Sequence, residues 1–128
     1  MNIVKQEDRI RNALGLKNCP LPKVEIEWLR KYFAFLTNKL AFPFPAHYTE
    51  ENSIYQPPSY LSVEVIELIE PENKHKQTFF GLFCRARKAD GEIEVPLVDL
   101  EVKDDNPNFQ YLEDYWYWIW NWRFDPRI

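Results

Sequence analysis

The stretch YWYWIWNW, residues 115–122, decides how the end of this chain folds, because its pattern fits two different structures. Tryptophan occupies every second position, at 116, 118, 120 and 122, which is the alternation of a β-strand. A strand, however, would have no polar face before Asn121. A helix that begins near Asn106 and Pro107 separates apolar from polar positions, and asparagine caps helices well while proline is favoured in the first turn. We therefore predict a helix.

The helical pattern divides the aromatic residues of this stretch between a core and a surface. The predicted apolar face consists of Phe109, Leu112, Trp116, Ile119 and Arg123, flanked by Tyr115 and Trp122. Only two or three of the rings then belong to the core. We predict that Tyr117, Trp118 and Trp120 are partly exposed and form an interface for a protein partner.

Three segments that precede this helix carry the pattern of β-strands. They are YLSVEVIELIE (60–70), QTFFGLFCRARK (77–88) and EIEVPLVDLEV (92–102). The alternation changes phase at Ile66, which predicts a bulge, and Asp90-Gly91 predicts the tip of a hairpin. We predict a small, bent antiparallel sheet that tends towards an SH3-like barrel.

The N-terminal part of the chain is predicted to be helical and then extended. Apolar residues recur at threes and fours in KVEIEWLRKYFAFLTNKL (23–40), which indicates an amphipathic helix, and residues 3–17 fit a shorter one. Prolines exclude a helix from residues 41–59, where Phe42 and Phe44 are expected to anchor an extended segment. The predicted fold class is α+β, with residues 23–128 as one domain and residues 1–22 as an N-terminal extension.

Composition excludes several classes of protein. The chain has 128 residues, a net charge of −4 and only three glycines, so it contains no glycine-rich phosphate loop and lacks the basic surplus of a nucleic-acid-binding protein. No span of about 20 apolar residues suits a membrane, and the charged N-terminus is unlike a signal peptide. Two isolated cysteines, Cys19 and Cys84, fit a reducing compartment. We expect a cytoplasmic protein that binds neither nucleic acid nor membranes.

Three segments carry a resemblance to a known family. NKLAFPFPAHY (38–48), VPLVDLEV (95–102) and YLEDYWYWIWNW (111–122) stand in this order. Together they resemble the cyanobacterial calcium-binding protein family (CcbP-like), whose pattern has a helix running into L-x-F-P-F-x-A, a Pro-Leu strand end and an E-D-W-x-Y-W helix. Tyr115 replaces the first tryptophan of that last motif. The resemblance covers roughly residues 28–122 and implies a small acidic cytoplasmic protein that binds calcium without EF-hands.

Acidic residues are densest around VDLEVKDD, residues 98–105. Calcium takes about six to eight oxygen ligands, several of them from carboxylates, and no D-x-[DN]-x-[DN]-G loop is present. Two carboxylates share a strand face, two lie in the following turn and two are predicted on the exposed side of the last helix. The candidate calcium ligands are, in this order, Asp99, Glu101, Asp104, Asp105, Glu113 and Asp114. The alternative is an acidic turn whose carboxylates are hydrated by solvent and bind no metal ion.

The sequence thus predicts non-enzymatic binding of Ca²⁺, as a buffer or a sensor, through surface carboxylates. The alternative function is a protein-interaction module of the same fold that no longer binds calcium. A zinc site from His47, His75, Cys19 and Cys84 matches no known ligand spacing. Nothing in the sequence supports a catalytic nucleophile with a base in reach.

Overall fold

The computed structural model describes residues 3–50, 54, 57, 59–72 and 80–123. It contains two N-terminal helices, five strands and a C-terminal helix. In chain order these are α1 (Ile3–Leu14), α2 (Ile26–Lys39), β1 (Phe44–Glu50), β2 (Ser59–Ile69), β3 (Phe83–Lys88), β4 (Gly91–Pro96), β5 (Leu100–Glu101) and α3 (Phe109–Trp122), with a 3-10 turn at Leu97–Asp99. The predicted α+β class is confirmed.

The five strands form one antiparallel sheet in the order β4-β3-β2-β1-β5. The register of β2 against β3 shifts between Val65 and Glu67, which confirms the predicted bulge. Within the described residues the sheet is not closed into a barrel, so the SH3-like closure that we predicted does not occur there. The reason is that β5 is only two residues long and pairs with β1, at the edge opposite β4.

The proline-rich segment contains a strand that the sequence did not predict as one. β1 pairs with β2 along its full length, from Phe44 opposite Val65 onwards. Pro45 is tolerated because β5 pairs only with His47 and Tyr48, so no ladder bond is required from Pro45 on that side. Phe44 is buried and its ring lies 5.6 Å from that of Phe42, as expected for anchors. Residues 51–53, 55, 56, 58 and 73–79 of the predicted segments lie outside the described residues.

The aromatic stretch is a helix, as predicted, but α3 begins at Phe109. Asn106 and Pro107 form a turn before it, in which the Asn106 side-chain oxygen accepts a 2.8 Å hydrogen bond from the Asn108 N–H. The Asn108 amide donates to and accepts from the main chain of Ala41, at 3.0 and 2.8 Å. The turn therefore joins α3 to the end of α2.

The buried face of α3 differs from the predicted one. Its fully buried aromatic residues are Tyr115 and Trp118, whereas Trp116 is only half-buried. The Trp118 indole N–H donates to the Pro22 carbonyl oxygen at 2.9 Å, and its ring lies 5.3 Å from that of Tyr32 on α2. The prediction that Trp118 is exposed at an interface is therefore wrong, because the N-terminal segment and α2 enclose this side of α3.

The N-terminal segment packs against the rest of the fold. α1 contacts both α2 and α3, and it buries Ile10 and Leu14, although Ile3 is 55% exposed. The core joins this helical layer to the apolar face of the sheet, where Val65, Cys84 and Ala86 are fully buried. In the described part of the chain, none of the helices has the length and apolar character needed to cross a membrane.

Candidate cation site

The six carboxylates predicted as calcium ligands do not converge on one point. Asp99 ends the 3-10 turn and is exposed, and Asp104 and Asp105 are exposed in the turn that leads to α3. Across the described ranges, no group of three Asp, Glu, His or Cys side chains lies close enough together to hold a metal ion. The structure instead places three of them in two surface hollows and one in a buried cluster, while Asp99 and Asp104 belong to none of these.

The first hollow lies between β1, β5 and the turn before α3, and we call it the turn hollow. It has a volume of about 210 Å³ and is lined by Pro45, His47, Glu101, Lys103, Asp105 and Asn106. The pairing of His47 with Glu101 between β1 and β5 positions the carboxylate at its edge. Two of the predicted ligands, Glu101 and Asp105, thus line one hollow together with a side-chain amide and a lysine.

The second hollow lies between β5 and α3, and we call it the aromatic hollow. It has a volume of about 480 Å³ and is lined by Gln6, Glu101, Glu113, Trp116, Tyr117 and Trp120. It brings together Glu101 and Glu113, so Glu101 lines both hollows. Of the three predicted interface residues, Tyr117 and Trp120 lie here, whereas Trp118 does not.

The rings of the aromatic hollow are held by hydrogen bonds to the protein. The Trp116 indole N–H donates to the Leu97 carbonyl oxygen at 3.3 Å, and the Tyr117 hydroxyl donates to Glu7 Oε2 at 2.7 Å. This hydrogen bond raises the pKa of Tyr117, because the carboxylate stabilises the protonated hydroxyl. The polar edges of two rings are therefore occupied within the chain.

Asp114 lies apart from both hollows, buried beneath α1. Its Oδ1 accepts hydrogen bonds from Arg9 Nη2 at 3.0 Å, Gln6 Nε2 at 3.1 Å and Gln110 Nε2 at 2.9 Å, and its Oδ2 accepts one from Arg9 Nε at 2.8 Å. Only 4% of Asp114 is exposed. The expectation that Asp114 lies on the exposed side of the helix is wrong, because α1 covers it and supplies two of its three partners, Gln6 and Arg9.

Asp99 is also separate from the two hollows, since it lines neither of them. Partial burial raises the pKa of its carboxyl, and the positive charge of Arg123 opposes that shift. The Arg123 guanidinium itself lies 4.3 Å from the centroid of the Trp120 ring. Asp99 therefore lies on the surface near Arg123, outside both hollows.

Several residues that shape these sites were not predicted from the sequence. Gln6, Glu7 and Arg9 on α1 hold Asp114 and Tyr117, across more than a hundred positions of sequence. Their presence on an amphipathic helix was visible, but no local pattern links them to α3. His47 and Asn106 were likewise hidden, because only the pairing of β1 with β5 and the turn bring them to Glu101.

Comparison with known proteins identifies the family. Residues 23–119 match the sequence model of the CcbP family, whose description is calcium binding. That description names a binding activity and no catalysed reaction, and it names calcium as the ligand. No curated protein sequence matches the chain.

Two solved structures share the fold. The crystal structure of Anabaena CcbP has a TM-score of 0.67 and 17% identity, over 96% of this chain and 94% of that chain. A calcium-binding protein in its calcium-binding form has a TM-score of 0.65 and 17% identity, over 94% of each chain. Both likenesses establish the architecture, while the family match covers most of the sequence. The chain belongs to the CcbP family of calcium-binding proteins.

Proposed function

We propose that this chain binds Ca²⁺ through surface carboxylates between β1, β5 and the turn before α3, without an EF-hand and without catalysing a reaction. The observation that carries the proposal is the family match over residues 23–119, whose description is calcium binding. The structural likeness to a protein in its calcium-binding form supports the same ligand. The turn hollow is the best candidate for the site, because it places two of the predicted ligands, Glu101 and Asp105, beside the Asn106 amide in the smaller of the two hollows.

The chemistry of the turn hollow fits a weak calcium site. Glu101 and Asp105 are exposed carboxylates, and the Asn106 side-chain oxygen retains a lone pair after accepting the Asn108 N–H. Calcium requires about six to eight oxygens, so water and main-chain groups would supply the remainder. Lys103 lines the same hollow and opposes a cation. We therefore expect an affinity in the micromolar range or weaker.

The experiment is a calorimetric titration of chelator-stripped protein with calcium, beside a titration with magnesium. The wild-type protein should give saturable heat with calcium, which the Asp104→Asn/Asp105→Asn variant and the Glu101→Gln variant should lose. Glu94→Gln is the matched control, because Glu94 is an exposed carboxylate on β4 outside both hollows. No heat in the wild type would refute calcium binding, whereas heat retained in both carboxylate variants would refute the turn hollow as its site.

A buffer and a sensor differ in how the protein responds once calcium is bound. A buffer keeps its shape, whereas a sensor uses the differential affinity of two conformations. Amide chemical shifts measured with and without calcium distinguish the two roles. Shifts confined to the neighbourhood of Glu101 and Asp105 indicate a buffer, and shifts that extend through α1 and the opposite edge of the sheet indicate a sensor.

A second candidate is an interaction module of the same fold that no longer binds calcium. Trp120 favours it, because this large ring is 56% exposed beside the aromatic hollow. Thermal unfolding separates the two candidates, since a ligand that binds only the folded state raises the melting temperature. A rise with calcium, absent with magnesium, supports the first candidate, and no rise with either supports the second.

A further inference from the structure

The aromatic hollow has the composition of a site for an organic cation. Three rings line it, those of Trp116, Tyr117 and Trp120, together with the carboxylates of Glu101 and Glu113. Within the described part of the chain, neither carboxylate accepts a hydrogen bond or forms a salt bridge. A cation is attracted both by the negative faces of aromatic rings and by unpaired carboxylates. The hollow therefore offers two kinds of attraction to one ligand.

The rings of Trp116 and Tyr117 contribute carbon surface rather than hydrogen-bonding groups. The Trp116 N–H and the Tyr117 hydroxyl are already bound to Leu97 and Glu7. Calcium fits this lining less well than an organic cation does, because its ligands are oxygens and the rings offer it mainly carbon. A guanidinium or alkylammonium group, in contrast, can pack on the rings while it pairs with the carboxylates.

The Trp120 ring already accepts a guanidinium group from within the chain. Arg123 places its guanidinium carbon 4.3 Å from the ring centroid, and Arg123 is not among the residues that line the hollow. Arginine stacks on aromatic rings and its planar fork pairs with two carboxylate oxygens at once. A volume of about 480 Å³ also accommodates one long side chain. These features favour arginine over a smaller or more strongly hydrated cation.

We propose that the aromatic hollow binds an arginine side chain of a partner protein, which packs between Trp116, Tyr117 and Trp120 and pairs with Glu101 and Glu113. The partner's surface at the contact is basic, in keeping with the two carboxylates of the hollow, one of which, Glu113, also interacts electrostatically with Arg9, and with the net charge of −4. This inference does not require that the chain binds calcium, although Glu101 lines both hollows. It depends on Trp120 and Glu113, which do not line the turn hollow.

The test is an NMR titration of ¹⁵N-labelled full-length protein in a calcium-free buffer that contains chelator. The probe is acetyl-Gly-Arg-Gly-amide, and the control peptide carries citrulline, an uncharged side chain of nearly the same shape, in place of arginine. We expect saturable shifts of the Trp116 and Trp120 indole N–H signals with the arginine peptide. The citrulline peptide should bind at least about tenfold more weakly, because it loses the charge that attracts it to rings and carboxylates.

Three variants locate the binding. Trp120→Leu and Glu113→Gln should each weaken the arginine peptide by about fivefold or more. Tyr60→Leu is the matched control, because Tyr60 is an exposed aromatic residue on β2 outside the hollow and should change nothing. The dispersion of the amide spectrum verifies that each variant is folded.

Three results would overturn the proposal. One is equal binding of the arginine and citrulline peptides, and another is unchanged binding to folded Trp120→Leu protein. The third is binding of free guanidinium ion as tight as that of the arginine peptide. That result would assign the hollow to small cations and not to a protein partner.

Discussion

Arg9 and Asp114 are joined by two hydrogen bonds, of 2.8 and 3.0 Å, although they lie 105 positions apart in the sequence. The pair connects α1 with α3 at a place where the aspartate side chain is 6% exposed and the arginine side chain 43%. Gln6 and Gln110 complete the partners of the carboxylate. Asp114 thus attaches α1 to α3, and both of its carboxylate oxygens already accept hydrogen bonds from neighbouring side chains.

Replacing this carboxylate should destabilise the fold without affecting calcium. Asp114→Asn removes the negative charge that pairs with Arg9. It also replaces one accepting oxygen by an amide N–H₂ group, which cannot accept hydrogen bonds from the neighbouring donors. We therefore expect a loss of about 1–3 kcal/mol in the free energy of unfolding. Urea unfolding measures it. Glu113→Gln is the control, because Glu113 has no hydrogen-bond partner in the described part of the chain and should cost less than about 0.5 kcal/mol. Loss of calcium binding by folded Asp114→Asn protein would contradict this structural role.

Sequence reasoning succeeded where the determining interactions are local. The spacing of apolar residues located α2 and α3, and the change of phase at Ile66 located the bulge in β2. It failed where contacts between distant segments determine which side of an element is buried. The buried side of α3 is set by contacts of Trp118 with Pro22 and Tyr32, which lie more than eighty positions earlier in the chain. No periodicity within the helix contains that information.

Gly81 should tolerate no side chain. Its φ of +76° is unfavourable for other residues, and a Cβ there would collide with the Tyr115 hydroxyl and lie 2.8 Å from Ile119 Cδ1. The same hydroxyl accepts the Leu82 N–H at 2.7 Å, so it cannot move without losing that bond. We expect Gly81→Ala to cost about 2–4 kcal/mol in urea unfolding, from backbone strain and overpacking together.

Gly15→Ala is the matched control for this glycine. Gly15 has a φ of +74° at the end of α1, but nothing lies within 4 Å of the position of a Cβ. This variant should lose only the stability that backbone strain removes, about 1–2 kcal/mol. Equal losses of unfolding free energy in the two variants would show that Tyr115 and Ile119 move aside for the new Cβ at little cost.

Lys103 should weaken calcium binding at the turn hollow. Lys103 lines the same hollow as Glu101 and Asp105, and its positive charge repels a cation even at the surface. Lys103→Gln is therefore expected to tighten calcium binding by about two- to fivefold in calorimetry, with a smaller gain at high ionic strength. Lys23→Gln changes the net charge equally at an exposed position outside both hollows and should have little effect. Equal gains in both variants would indicate only a general effect of net charge.

The candidate site was harder to predict than the fold, because a run of acidic residues does not say which of them meet. Asp104 and Asp105 are neighbours in sequence, yet only Asp105 lines the turn hollow, opposite Glu101. Glu113 and Asp114 are also neighbours, but one faces the aromatic hollow and the other is buried under α1. Successive residues of a helix point about 100° apart, so adjacent carboxylates face different surroundings. Only the packing of α1 and β5 around α3 determines those surroundings.

Glu101 should couple calcium to the proposed arginine partner, because this residue lines both hollows. Calcium bound at the turn hollow would engage this carboxylate and add positive charge beside the arginine. We therefore expect the arginine peptide to bind about fivefold more weakly at saturating calcium than in chelator, and calcium to bind more weakly by the same factor in the presence of the peptide. Magnesium at equal ionic strength is the control. The Glu101→Gln variant should lose this antagonism, and peptide binding that is unchanged or tightened by calcium in the wild type would show that the two hollows are not linked through Glu101.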